Sequence, residues 1–196
     1  LEAFGAHGTF DIVGDTSENY PDKPGKAGSA SWGGIRYDHY PDIHKDADGG
    51  AVHCPELVQR ILDGGHEITS HTYRHVLYGP KPLVYGGRQP FENLAEVTQD
   101  LRRLDELMRR DYGYAIRLSR PPHYVDSTKD GFTSYDAHAL LGYQYLAASF
   151  DGAGWLPLAS FDAEVDAMLC PMERALRQNP DCLCGQIIFQ KDGYNM

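Results

Sequence analysis

Residues 55–75 read Pro-Glu-Leu-Val-Gln-Arg-Ile-Leu-Asp-Gly-Gly-His-Glu-Ile-Thr-Ser-His-Thr-Tyr-Arg-His, and no other stretch of the chain restricts its fold as tightly. Pro55 suits the first turn of a helix, and Leu57, Ile61 and Leu62 recur at helical spacing up to Asp63. Gly64-Gly65 stops that helix. Ile68 then anchors a short strand that delivers His71 at its C-terminal end. A helix, a tight turn and a strand with metal-binding residue types at its C-terminal end is the unit from which α/β barrels build their sites.

His71 and His75 are four positions apart. If the chain turns helical at His71, both rings share one face, with Cβ atoms roughly 5–6 Å apart. That separation lets two imidazoles reach one divalent ion at about 2.0–2.1 Å per Zn–N bond. Surface helices carry such pairs without any metal, and a metal site needs a third ligand and an open position. The H-E-x-x-H arrangement of metalloproteases is excluded, because His71 falls one residue too late after His66-Glu67.

The remaining elements alternate. Leu1 to Phe4 reads as the last turn of a helix with Gly5 in the C-cap position, and Gly8 to Gly14 as a buried strand. Asp11 is out of character there, since an acid inside a strand is disfavoured unless it is paired or at a site. Residues 15–53 show no sustained period; they hold His39, His44 and His53 among Tyr20, Trp32, Tyr37 and Tyr40. That loop forms either an aromatic wall for a sugar groove or a packed surface excursion. Pro90 to Arg110 is expected to be a helix burying Leu94, Val97, Leu101, Leu104 and Met108, with Asp100, Arg103 and Glu106 on the solvated side. Further helices are expected at Ser134–Leu141 and Ser160–Arg177, the latter kinked or restarted at Pro171. Strands are expected at Tyr114–Ser119, Tyr143–Ala148 and Gly185–Phe189, the last of them buried. Such alternation predicts an α/β fold with a parallel sheet.

With 196 residues, 41% of them hydrophobic, the chain is long enough for one domain with a core. A net charge of −10 argues against nucleic acid as a partner, and no run of 18 apolar residues exists to span a membrane. Cys54, Cys170, Cys182 and Cys184 lack zinc-ribbon spacing; they are read as free thiols, with a bridge from Cys170 to Cys182 or Cys184 as the alternative.

The segment from Pro55 to His75 resembles the second motif of polysaccharide deacetylases, the NodB homology domain of carbohydrate esterase family 4. His71-Thr72-Tyr73-Arg74-His75 fits that family's H-[ST]-x-x-H at every defined position. Arg120-Pro121-Pro122-His123 resembles the third motif, R-P-P-Y, with Tyr124 next. Asp151 and Trp155 match the D-x-x-D-W of the fourth, where Gly154 replaces the second Asp. Ile187 to Asp192 resembles the fifth, I-I-L-x-H-D, with Lys191 in place of the general-acid His.

The resemblance implies a distorted (β/α) barrel and removal of N-acetyl or O-acetyl groups from an acetylated polysaccharide or oligosaccharide. It implies a divalent metal, zinc by preference, held by His71 and His75. Arg120 would orient a catalytic Asp, and the N–H of His123 or Tyr124 would stabilise the oxyanion. Trp155, with Asp151, would wall the acetyl pocket, and Lys191 beside Asp192 would stand in for the proton donor. The family's T-F-D-D motif is not matched by Thr9-Phe10-Asp11, where Ile12 replaces the second Asp; Gly5 to Gly14 instead resembles the family's second strand. The resemblance thus implies one catalytic-type domain over residues 1–196, incomplete at both ends. On that reading the barrel's first strand and the third metal ligand, an Asp, lie upstream, and the chain alone is inactive. A hydrolase of non-sugar amides or cyclic imides, and a non-catalytic sugar-binding relative, are the alternatives.

Overall fold

Nine residues of good helix-forming pattern between Cys54 and Gly64 form helix α1 (Pro55–Asp63), as the sequence predicts. The structure, a computed structural model, describes residues 1–15, 31–32, 35–36, 49–80, 89–152, 158 and 160–190. In chain order the strands are β1 (Thr9–Ile12), β2 (Ser31–Trp32), β3 (Ile35–Arg36), β4 (Glu67–Ser70), β5 (Leu118–Ser119), β6 (Gln144–Tyr145), β7 (Phe150–Asp151) and β8 (Ile188–Phe189). The other helices are α2 (Leu94–Tyr112), α3 (Ser134–Leu141) and α4 (Phe161–Gln178). These residues form two compact units, one comprising residues 1–30 and 41–146, the other 31–40 and 147–196.

In the first unit a four-stranded sheet has the order β1-β4-β5-β6, and every pairing is parallel. The expected parallel α/β arrangement is present. A core of Ile68, Tyr78, Phe91, Val97, Leu101, Leu104, Met108 and Ile116 joins β4 to α2. Helix α2 begins four residues later than the apolar period suggests. The Asn93 side chain caps it by accepting the Glu96 N–H at 3.0 Å, and Gly113 ends it in the left-handed conformation. Along α1, Val58 and Ile61 are buried, whereas Leu57, expected inside, is 55% exposed. Strand β1 is half-buried rather than buried. Helix α3 matches its expected bounds, and the Asp136 carboxylate accepts the Thr133 N–H at 2.8 Å to close its first turn.

In the second unit, α4 runs through Pro171 without restarting, giving up one backbone hydrogen bond there. Strands β7 and β8 pair in parallel, and Ile188 is 42% exposed, so β8 is not the buried strand expected. The antiparallel β2–β3 pair was not foreseen, because two-residue strands carry no readable period. All four cysteines are free thiols. Among the described residues no helix is long and apolar enough to cross a membrane.

Inside α3, His138 is 2% exposed, lies between the rings of Tyr143 and Tyr145, and has no hydrogen-bond partner on either ring nitrogen. Burial holds its pKa down to about 4, against a smaller upward pull from Asp126. The unfolded chain, with a His pKa of about 6.5, therefore binds more protons between those values. Stability present above pH 6.5 should fall as pH drops towards 4, by up to about 3 kcal/mol from this residue. Urea unfolding at pH 7.5 and pH 4.5 checks this: His138→Phe should narrow the difference between the two pH values, and an unchanged difference would contradict it.

Candidate functional site

The sheet places Ser70, the last residue of β4, opposite Ser119, the last residue of β5. The chain leaves these two ends as the segments His71–His75 and Arg120–Tyr124, tied together at once by backbone bonds. The Arg120 N–H donates to the Ser70 carbonyl at 3.0 Å, and the His71 N–H donates to the Ile12 carbonyl at 2.9 Å. The His71 ring adds a second tie between the two segments, with Nδ1 2.8 Å from the Arg120 carbonyl oxygen. A carbonyl only accepts, so Nδ1 carries the proton, and neutral His71 keeps its lone pair on Nε2.

The Arg120 side chain is buried and turns the other way. Its guanidinium is paired with the Asp11 carboxylate, and Nη1 donates to the Tyr124 hydroxyl at 2.9 Å. Asp11 stands in register with Thr69 across β1 and β4 and accepts its hydroxyl hydrogen bond. The acid that looked misplaced in a strand is thus a half-buried, doubly engaged group. A charge there is tolerated only with such partners.

His71 and His75 come together, but on a turn and not on a helix face as expected. Their ring centroids are 5.0 Å apart, and the His123 ring lies 5.6 Å from that of His75. All three residues are half-buried. The turn is tight enough to force Thr72 to φ 74° and His75 to φ 55°; on the facing segment His123 and Tyr124 have φ 54° and 55°. Among the described residues these four are the only non-glycine residues with positive φ. Each such conformation costs roughly 1–3 kcal/mol and persists only where its surroundings over-determine it. A β-branched residue there is a genuine outlier.

Asp100 of α2 supplies part of that determination. Expected on the solvated face, it is 3% exposed, and its carboxylate accepts the N–H groups of Tyr73 and Arg74 at 3.0 and 3.3 Å and the Arg74 Nε–H at 3.0 Å. Burial pushes its pKa up, against the pull of Arg74. Arg103 of the same helix lies 3.8 Å over the Tyr73 ring. On the other side Gly14 and Asp15 donate their N–H groups to the Tyr73 carbonyl, each at 2.9 Å. A Cβ at Gly14 would sit 2.2 Å from the Tyr73 ring, so only glycine fits. Asp100 was overlooked as a positioning residue. The available signal was its place between Val97 and Leu101 on the apolar stripe.

The other candidates separate. His53 Nε2 is 3.1 Å from the Asp15 carboxylate, and His66 accepts the Gly8 N–H at Nδ1 at 3.1 Å. The Tyr124 N–H donates to the Pro121 carbonyl at 3.1 Å, which commits one of the two proposed oxyanion donors. Asp151 lies on β7 of the second unit. Trp155, Lys191, Asp192, His39 and His44 lie outside the described residues. Among the described residues no three His, Cys, Asp or Glu side chains already converge as a metal-binding group. His71 and His75 nevertheless suit a divalent ion in donor type. A ligating His ordinarily gives its other ring N–H to a carbonyl or carboxylate, as His71 does to Arg120.

A turn carrying two histidines thus faces an Arg-Pro-Pro loop at the ends of adjacent parallel strands. The family model for polysaccharide deacetylase matches residues 1–145, and the chain belongs to that family. Comparison with curated proteins gives no match. Among solved structures, the chain is similar to the Xyl-CE4 domain of a multidomain xylanase from the hindgut metagenome of Trinervitermes trinervoides, with 16% identity and TM-score 0.56, over 98% of this chain and 64% of that one. It is also similar to the chitin deacetylase of the fungal pathogen Colletotrichum lindemuthianum, with 17% identity and TM-score 0.50, over 69% of this chain and 53% of that one. A mutant of a family 4 carbohydrate esterase pseudoenzyme with restored enzymatic activity aligns at 15% identity and TM-score 0.50, over 71% of this chain and 42% of that one. The chain therefore spans less than two thirds of the length of each. At these identities the likeness is one of fold.

The Asp11–Arg120 pair generates an expectation for stability. Removing one partner of a buried ion pair costs about 3–5 kcal/mol, because the other charge is left uncompensated. Asp11→Asn and Arg120→Met should each lose that order of stability in chemical denaturation, and the double variant clearly less than their sum. Additivity within about 0.5 kcal/mol would mean the two groups are not coupled.

Proposed function

We propose that the protein is a metal-dependent hydrolase that removes N-acetyl or O-acetyl groups from a polysaccharide, on a distorted (β/α) barrel to which the four-stranded parallel sheet belongs. The observation that carries this reading is the His71 ring, held at Nδ1 by the Arg120 carbonyl, next to His75 and the second motif's strained turn. A divalent ion, zinc by preference, would be held by His71 and His75; when bound it polarises an acyl carbonyl and lowers the pKa of a water.

The rest belongs to the chain's own residues. Arg120 orients a carboxylate through an ion pair, holding it ionised and in one rotamer. The carboxylate it holds here is Asp11, which makes Asp11 a candidate proton acceptor beside the family's usual Asp. The N–H of His123 or Tyr124 donates to the oxyanion; since the Tyr124 N–H already bonds Pro121, His123 is the first choice of the pair. By their likeness to the family's fourth and fifth motifs, Trp155 with Asp151 would wall the acetyl methyl and Lys191 with Asp192 would protonate the leaving group. An ordinary Lys is poorly matched to pH 7, so that role needs a lowered pKa.

A second reading is a non-catalytic sugar-binding relative. Gly154 and Lys191, which replace an Asp and a His of the family's motifs, favour it. Hydrolysis of a non-sugar amide or cyclic imide is the third.

Acetate release from acetylated chito-oligosaccharides and acetylxylan, with small amides in parallel, separates them. The proposal expects the whole protein to release acetate from a carbohydrate, a release abolished by His71→Ala, and expects a roughly 10²–10⁴-fold lower kcat for Lys191→Met with metal content unchanged. Sugar binding without acetate release would select the non-catalytic reading, and turnover of amides alone the third.

A further inference from the structure

Resting on the carbohydrate reading above, we propose that Tyr135 and Tyr145 form a saccharide-stacking subsite, which takes one sugar ring of the glycan whose acetyl group reacts beside Arg120. Tyr145 ends β6 in register with Ser119, the last residue of β5. It therefore stands at the C-terminal end of the sheet, one strand along from the start of the Arg120–Tyr124 segment. Its ring stacks on that of Tyr135, with centroids 5.1 Å apart and planes 22° from parallel. Tyr135 is 61% exposed although Tyr145 covers one of its faces, so the other face is open to solvent.

The platform is rigidly built and continuous with the site. Tyr135 occupies the first turn of α3, which Thr133 and Asp136 cap reciprocally. Buried Ser134 donates its N–H to the Asp126 carbonyl at 2.7 Å and its hydroxyl to the Asp126 carboxylate at 2.9 Å. Asp126 lies two residues beyond Tyr124, whose hydroxyl accepts from Arg120. The start of α3 is thus fastened to the loop that carries the site's arginine. Burial, with Asp126, Tyr135 and Tyr124 around the hydroxyl, pushes the Tyr145 pKa up and keeps the phenol neutral. Neighbour by neighbour, the rings lead from Arg120 through Tyr124 and Tyr145 to the open face of Tyr135.

A pyranose presents a face of C–H bonds ringed by hydroxyls. The electron-rich face of an aromatic ring attracts those C–H groups while the hydroxyls at the rim stay in water. Two tyrosines already held against each other lose little freedom on binding, which favours affinity. Two rings are too few for a stable protein interface, which needs about 800 Å² per partner. The net charge of −10 disfavours nucleic acid, whose bases also stack on aromatic platforms. A glycan is the occupant that fits, because a polymer reacting beside Arg120 must lay its neighbouring sugars across the rim of the sheet.

The test uses the whole protein and calorimetry, with tetra-N-acetylchitotetraose and xylotetraose as probes and N-acetylglucosamine and xylose as their single rings. The wild type should bind at least one tetrasaccharide more tightly than its single ring. Tyr135→Ala should weaken that tetrasaccharide roughly three- to tenfold, the scale of one aromatic face, while Tyr135→Phe should keep most of the affinity. Leu140→Ala is the control: Leu140 is equally exposed on α3 but about 140° round the helix axis from Tyr135, and its loss should not change binding. If Tyr135→Ala melts lower than the wild type, the Tyr135 ring resonances of the unaltered protein replace it, and they should shift as the tetrasaccharide is added. Equal affinities of wild type and Tyr135→Ala, or Tyr135 resonances unmoved at saturation, would overturn the subsite and leave the functional reading intact. Failure of the wild type to bind either tetrasaccharide would overturn it too, and acetate release from the acetylated polymers would then decide the functional reading by itself.

Discussion

Arg120 sits where the site's separate parts meet. Its N–H fastens the end of β5 to Ser70 at the end of β4, its carbonyl accepts a hydrogen bond from the His71 ring, and its guanidinium holds Asp11 and the Tyr124 hydroxyl. One residue thus couples three strands and both site loops. The charge makes this coupling obligatory, because a buried guanidinium without its carboxylate is far costlier than the pair. The same requirement explains Asp11, which has no business in a strand except as this partner.

The second constraint is conformational. Among the described residues four with side chains are held in the left-handed region, all in the two loops that leave β4 and β5. Such backbone is stable only if other interactions impose it. Asp100 accepts three hydrogen bonds from the Tyr73–Arg74 segment, Arg103 covers the Tyr73 ring, and Gly14 admits that ring against the backbone. Helix α2 therefore acts on the site as a clamp on the turn between His71 and His75. The core that seats α2, through Val97, Leu101, Leu104 and Met108, reaches the chemistry by that route.

Much of this was legible in the sequence. The bounds of α1 and α3, the strand before His71 and the parallel pairing of the sheet follow from period and glycine position, and that His71–His75 and Arg120–Tyr124 share a site was implied by the resemblance to the family's motifs. What was not legible depends on tertiary context. The loop that joins the two histidines looks helical by spacing, and only the contacts of Tyr73 show it as a strained turn. Asp100 reads as a surface residue because a charge on a helix is usually solvated; its burial depends on backbone donors supplied from 26 and 27 residues away in sequence. Asp11 could be flagged as anomalous but not paired, since Arg120 lies over a hundred residues downstream. The left edge of α2 was misplaced for a local reason, the Asn93 cap overriding apolar periodicity.

The site depends on the His71 ring being oriented by the Arg120 backbone carbonyl. Two-bond proton–nitrogen correlation spectra of the histidine rings in the metal-free chain at neutral pH measure this directly. The His71 ring should be the Nδ1–H tautomer, with Nε2 as the unprotonated nitrogen, matching its bond to the Arg120 carbonyl. An Nε2–H tautomer, or two tautomers in comparable amounts, would contradict the geometry from which the site is read.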